Sequence, residues 1–135
     1  VSAWNAQPKV IEAVTLFVED LDVAGEFYQR VFDLPVYYAD ENSAVFRFGD
    51  TLINLLRVEE ASGLIEPAAV AGPDAGSRFQ FTIGVDDVDA VCDELGARGV
   101  VLLNGPVDRP WGLRTASFVD PGGHVGELAQ EITGG

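Results

Sequence analysis

The chain has 135 residues, 47% hydrophobic and 22% charged, which makes one domain with enough apolar residues for a core and excludes a disordered chain. Its formal charge is −14, from 22 acidic against 8 basic residues, so the surface repels phosphate backbones, excludes nucleic acid as a partner and favours cationic ligands. A single cysteine, Cys92, excludes an intrachain disulfide, and no apolar run approaches the ~20 residues of a membrane span, so a soluble, cytoplasmic protein with no membrane partner is expected.

The sequence begins at Val1 and has no methionine, so an initiator or short leader is expected ahead of it. Residues 10–18 are rich in β-branched side chains and read as a strand. Glu19 and Asp20 then signal a helix start, with Asp20 as N-cap. Leu21, Ala24, Phe27, Tyr28 and Val31 follow as an apolar stripe of helical period. Strands are predicted at 34–38, 44–48 and 51–58, separated by turn signals at 40–42 and 49–50. The first unit is therefore βαβββ.

Residues 59–77 carry Ala, Gly, Pro and acids without a sustained period and read as a connector, with one short helical turn near 64–70. Its length suits a segment that flanks a binding cleft. A second unit starts near residue 78. A strand over 79–85 leads to a helix capped by Asp86 or Asp87, whose buried stripe is Val88, Val91, Cys92 and Leu95. Gly99 is placed to end that helix. A strand at 100–103, a Gly- and Pro-built loop at 104–112, and strands at 113–119 and 125–130 complete a second βαβββ unit.

The two units are copies. Residues 15–22 (TLFVEDLD) match 82–89 (TIGVDDVD) at an offset of 67, and 49–55 (GDTLINL) match 122–128 (GGHVGEL) at an offset of 73. An internal repeat of this kind predicts a pseudo-symmetric protein with a shared site.

The stretches VTLFVEDLDVAGEFYQRVFDLPV, FTIGVDDVDAV and SFVDPGGHVGELAQ resemble the vicinal-oxygen-chelate superfamily, also called the glyoxalase, bleomycin-resistance and extradiol-dioxygenase superfamily. The D-P-G-G-x-x-x-E-L segment is the most specific piece. The resemblance implies a single α+β domain over residues 1–135: module one at about 8–58, a connector at about 59–77, and module two at about 78–131. It implies two βαβββ modules with sheets curled around a central cavity. In the metal enzymes of the family, the first and last strand of each module supply one ligand each. The two offsets carry those four corners onto Ala13, Gln80, Asn54 and Glu127, with Thr15, Phe17, Leu56, Thr82, Gly84 and Ala129 expected to face the cavity with them.

A catalytic divalent ion takes about three or more protein ligands from His, Glu, Asp or Cys. The four corners offer one carboxylate, two neutral amides and an alanine, so no metal cofactor is favoured; were a divalent metal held, its ligands would be Gln80, Glu127 and Asn54, glutamine being a ligand in some glyoxalases of the family. Glu127 needs a partner on a half-buried strand, for which Arg47 and Arg114 are candidates. His124 falls on the opposite strand face from Glu127, and Cys92 on the buried helix stripe. Trp111, between Pro110 and Gly112, is expected to cover a pocket, and Phe17 with either Phe46 or Phe48 to line it. Gly84 and Gly126 would make room in the cavity or at its rim.

Three functions stay open. The first is metal-independent binding of a small organic ligand, cationic or aromatic, such as an antibiotic or metabolite, through Thr15, Phe17, Asn54, Gln80, Thr82, Trp111, Arg114 and Glu127. The second is a metal-dependent lyase, isomerase or dioxygenase that uses Glu127 and Gln80. The third is metal-free acid–base catalysis by Glu127. Assembly as a homodimer is expected from the resemblance.

Overall fold

The computed structural model describes residues 11–132, which divide between Val70 and Ala71 into two compact units. The expected starts of the first strand at residue 10 and of the first module near residue 8 lie outside the described residues.

The first unit holds β1 (Ala13–Val18), α1 (Leu21–Phe32), β2 (Tyr38–Ala39), β3 (Ser43–Phe48), β4 (Thr51–Arg57) and α2 (Val58–Ile65). Its sheet runs β1-β4-β3-β2, with β1 parallel to β4 and the other pairs antiparallel. Asp20 caps α1 as the sequence predicts, its carboxylate accepting from the Val23 N–H at 3.1 Å. Ala24, Phe27, Tyr28 and Val31 are buried on one helix face. They pack with Leu16 and Val18 of β1, Ala44 and Phe46 of β3, and Ile53 and Leu55 of β4, all 9% exposed or less. Each large side chain buried there contributes about 1.5–3 kcal/mol.

Phe46 and Phe48, of which one was expected in the cavity, both face the helix. Phe46 stacks on Tyr28 at 5.9 Å between centroids, and Phe48 meets Phe32 edge-on at 5.2 Å. The same alternation that buries them sends Val45 and Arg47 to the other side. The strand expected over 34–38 shrinks to Tyr38–Ala39; Pro35 has no N–H to give to a ladder. The connector is also more ordered than its composition suggests. The α2 helix starts directly at Val58, has Glu59 and Glu60 in its first turn, buries Ala61 and stops at Glu66–Pro67. Acids at a helix N-terminus and a proline just past its end fit those bounds, so the helical turn expected at 64–70 lies earlier than predicted.

The second unit opens with a short 3-10 turn at Pro73–Ala75 and holds β5 (Gln80–Gly84), α3 (Val88–Ala97), β6 (Leu102–Asp108), β7 (Leu113–Val119) and β8 (Val125–Glu131). Its sheet order, β5-β8-β7-β6, repeats that of the first, again with a parallel first pair. Asp87 caps α3 through the Ala90 N–H, and Gln130 of β8 accepts from the Val88 N–H at 2.8 Å. Val88, Cys92 and Leu95 are buried with Ala116, Phe118 and Leu128. Gly126 is needed by this face and not by a cavity: a Cβ there would run into the Phe118 ring.

The stretch 104–112, expected as a loop, is strand as far as Asp108. It pairs with β7 irregularly, the register slipping between Leu102 and Asn104 and again between Asn104 and Val107. Gly105, at φ 86°, allows the slip, because a Cβ would meet the Thr115 carbonyl and the Ala116 Cα.

Candidate functional site

A row of polar side chains of the second sheet lies on the face turned away from α3. Parallel register places Thr82 beside Glu127 and Gln80 beside Val125. The Thr82 hydroxyl donates to Glu127 Oε1 at 2.9 Å. Across the antiparallel pair Ser117 stands opposite Glu127, and Thr115 opposite Ala129. Asn104 of β6 stands beside Ser117. Four strands thus contribute one row, Thr82–Glu127–Ser117–Asn104, in which Ser117 is only 6% exposed.

Arg109, which the sequence did not single out, joins this face from the β6–β7 turn. Its Nε donates to the buried Thr115 hydroxyl at 2.9 Å and its Nη2 to Asn104 Oδ1 at 3.3 Å. The guanidinium lies 6.0 Å from the centroid of the Trp111 ring, so Trp111, itself 66% exposed, stands beside this row. The signal for Ser117 was present in the alternation of β7. Arg109 lay in a stretch read as loop, where no periodicity could place it.

Arg114 goes elsewhere. Odd separation from Thr115 and Ser117 turns it to the helix side, where it pairs with Asp89 of α3 at 3.0 Å and Asp108 at 2.9 Å. The hydrogen bonds from Arg114 hold the Asp89 carboxyl below the usual carboxylate range, and Asp89 first, then Asp108, raises the Arg114 guanidinium further. It is therefore not the partner of Glu127, which accepts from Thr82. Arg47 donates to the Gly49 carbonyl at 2.9 Å in the first unit.

The first sheet repeats the row. Thr15 pairs with Asn54, Asn54 with Val45, and Val45 with Tyr38. Asn54 Nδ2 donates to Thr15 Oγ1 at 3.3 Å, while Asn54 Oδ1 is buried without a hydrogen-bond partner. Phe17 lies beside Leu56 and Ala13 beside Leu52. At the edge, Tyr38 donates to Asp40, and hydrogen bonds from the Asn42 backbone and from the Ser43 and Tyr38 side chains keep the Asp40 carboxyl low.

His124 lies in the β7–β8 turn, its Nδ1 3.0 Å from the buried Asp120, which also accepts from the Gly122 and His124 N–H groups. The cluster closes a turn. Cys92 is buried on α3, and desolvation pushes its thiol up.

Residues 10–128 match the Glyoxalase/Bleomycin resistance protein/Dioxygenase superfamily. The chain belongs to this superfamily. YraH of Bacillus subtilis (strain 168), an uncharacterized protein, is 33% identical over 120 residues, which span 85% of this chain and 93% of YraH. A probable lactoylglutathione lyase of Vibrio cholerae is 32% identical over 121 residues, 85% of this chain and 86% of that one. A glyoxalase/bleomycin resistance protein/dioxygenase from Nocardioides shares the fold with a TM-score of 0.81 at 23% identity, over 96% of this chain and 87% of that one.

Superfamily sites often hold a metal, so the donors here bear on the chemistry. In the second unit the two expected ligand positions carry Gln80 and Glu127, and the Glu127 carboxylate already accepts from Thr82. Among the described residues no three of His, Cys, Asp and Glu stand together as a cation site. An amide oxygen does not balance the charge of a divalent ion. One carboxylate and one amide from this unit fall short of the roughly three protein ligands that a catalytic divalent metal takes.

Proposed function

We propose that the protein binds a small organic ligand, cationic or aromatic in part, on the face of the second sheet turned away from α3 and without a divalent metal. Glu127 carries this reading. It is a carboxylate held from one side by the Thr82 hydroxyl and faced by Ser117 across the ladder, with Asn104 one strand further along the row and the Trp111 ring beside Arg109. A carboxylate held by a hydroxyl suits an ammonium or other donor, and the exposed Trp111 ring beside Arg109 offers a flat molecule an aromatic surface at the other end of this face. The chain's formal charge of −14 adds long-range attraction for such a cation, and added salt should weaken it.

The test couples composition to binding. Tag-free protein is incubated with zinc, nickel, manganese or iron(II), desalted and analysed for metal, then titrated with benzylamine while the Trp111 indole resonance is followed by NMR. The proposal expects no stoichiometric metal, and a titration that chelator leaves unchanged and Glu127→Gln weakens. About one metal per chain, lost in Glu127→Ala, would sink it.

A second reading is supported by the probable lactoylglutathione lyase of Vibrio cholerae at 32% identity. In it the protein is a metal-dependent lyase that uses Glu127 and Gln80. Turnover of lactoylglutathione that appears with added metal and disappears in Glu127→Ala would replace the first reading with this one. Pairing as a homodimer is proposed from the superfamily alone, and light scattering that returns a 14.4 kDa monomer at working concentration would remove it.

A further inference from the structure

We propose that Arg109 is the anion-binding residue of this site and that the ligand carries a carboxylate at one end and a hydrogen-bond donor at the other, which meets Glu127. The inference rests on the reading that the face of the second sheet turned away from α3 is the ligand site, and it adds the chemical class of the ligand.

Arg109, like Arg47 on the Gly49 carbonyl, is anchored on neutral oxygen, but it alone bonds two neutral side chains of one sheet face among the described residues. Arg30, Arg57, Arg98 and Arg114 each pair with a carboxylate. Arg109 is held by two neutral oxygens, those of Thr115 and Asn104, and has no carboxylate partner among the described residues. That arrangement is notable in a chain with 22 acids and 8 bases. Neutral acceptors fix the plane of the guanidinium without cancelling its charge, and a guanidinium carries more N–H donors than these bonds use. The remaining donors form the planar fork that takes a carboxylate through paired hydrogen bonds.

The position is defined as well as the charge. Thr115 and Ser117 lie two residues apart on β7 and share a face, and Ser117 stands opposite Glu127. The anchor of Arg109 and the row of Glu127 are therefore separated by about 7 Å of strand. A ligand that spans this face meets a fixed cation at one end and a fixed anion at the other, with an indole beside the cation. Net-neutral molecules with both groups, such as amino acids with separated charges, complement it better than a simple cation. They also avoid the repulsion that a multiply charged anion would meet from this chain.

The experiment uses wild-type protein and four probes: 4-(aminomethyl)benzoate, benzylamine, 4-methylbenzoate and 4-(aminomethyl)phenylphosphonate. Each is titrated in chelator, then with zinc, while the Arg109 Nε–H and Trp111 indole resonances are followed by NMR. The zwitterionic benzoate is expected to shift the Arg109 resonance and to bind about 10-fold tighter than benzylamine, as a charge-assisted paired contact does. Arg109→Gln should abolish that advantage, and Arg109→Lys, which keeps the charge without the fork, should retain only part of it. Arg30→Gln, which changes formal charge equally at an exposed ion pair of the first unit, should leave it intact. An unmoved Arg109 resonance at saturation overturns the inference, as does equal binding of the benzoate and benzylamine. Failure of every probe to bind does so too, and tighter binding of the phosphonate overturns the carboxylate class. Zinc-dependent binding that still shifts Arg109 would sink the metal-free reading and leave this inference standing.

Discussion

Thr82 and Glu127 stand side by side on the parallel strands β5 and β8, and the threonine hydroxyl donates to the carboxylate at 2.9 Å. In the first unit Thr15 and Asn54 occupy the same places on β1 and β4, but there the amide donates to the threonine at 3.3 Å. One scaffold thus holds a charged residue in one copy and a neutral one in the other. Folding does not require the charge, so its presence is available to function.

Thr82→Val removes the donor while keeping the side-chain shape. The pair is exposed, so stability should change by no more than about 0.5 kcal/mol. Benzylamine binding should weaken about 3- to 10-fold, because Glu127 then samples rotamers that the ligand must pay to restrict. Thermal melts and the NMR titration measure the two effects separately; a large stability loss with unchanged binding would make Thr82 a structural residue only.

Gly126 and Phe118 are coupled through space. An alanine at 126 would drive its methyl into the Phe118 ring, and such overpacking costs about 1–3 kcal/mol. Phe118→Leu alone opens a cavity in a fully buried site. The double variant Gly126→Ala, Phe118→Leu should be more stable than the two single losses summed, by at least about 0.5 kcal/mol. Denaturant melts of the four proteins complete the cycle, and strict additivity would mean the two sites relax independently.

Asp89 and Asp40 bear on pH. Both are held below the ordinary carboxylate value of 3.8, Asp89 chiefly by the hydrogen bonds from Arg114 and Asp40 chiefly by the Asn42 N–H. A depressed native pKa gives stability that is present above the unfolded value and lost as pH falls through the native one. Stability should therefore be insensitive to these groups above about pH 5 and decline below about pH 4. Asp89→Asn should flatten that decline in urea melts at low salt; an unchanged slope would show the pair contributes nothing, as many exposed ion pairs do.

Much of this arrangement was legible before any coordinates. The repeat offsets put Thr15 with Asn54 and Thr82 with Glu127 on one strand face each, because strand alternation is a local rule and both N-caps were aspartates at helix starts. Arg114 and Phe46 were misplaced for a related reason. Their strand was read correctly, but parity alone does not say which face meets the helix. Asp89 and Tyr28 decide that through contacts distant in sequence. Arg109 was invisible because β6 is irregular: its register slips twice around Gly105, and no period survives that.

Gly105 therefore sets the geometry on which Arg109 depends. It sits at φ 86°, and a Cβ would press on the Thr115 carbonyl and lie 2.7 Å from the Ala116 Cα, both backbone atoms that cannot rotate away. Gly112 has a similar φ of 89° but open space around it. Alanine at 112 should cost about 1 kcal/mol from the backbone conformation alone. Alanine at 105 should cost more, about 2–4 kcal/mol, because β6 must also move away from β7. That movement would carry Asn104 off its place beside Ser117 and loosen one of the two oxygens that hold Arg109. Gly105→Ala should accordingly lower both the melting temperature and the preference for 4-(aminomethyl)benzoate over benzylamine, whereas Gly112→Ala should lower only the first. Equal losses in the two variants would separate the glycine from the site and leave the bulge a purely structural feature.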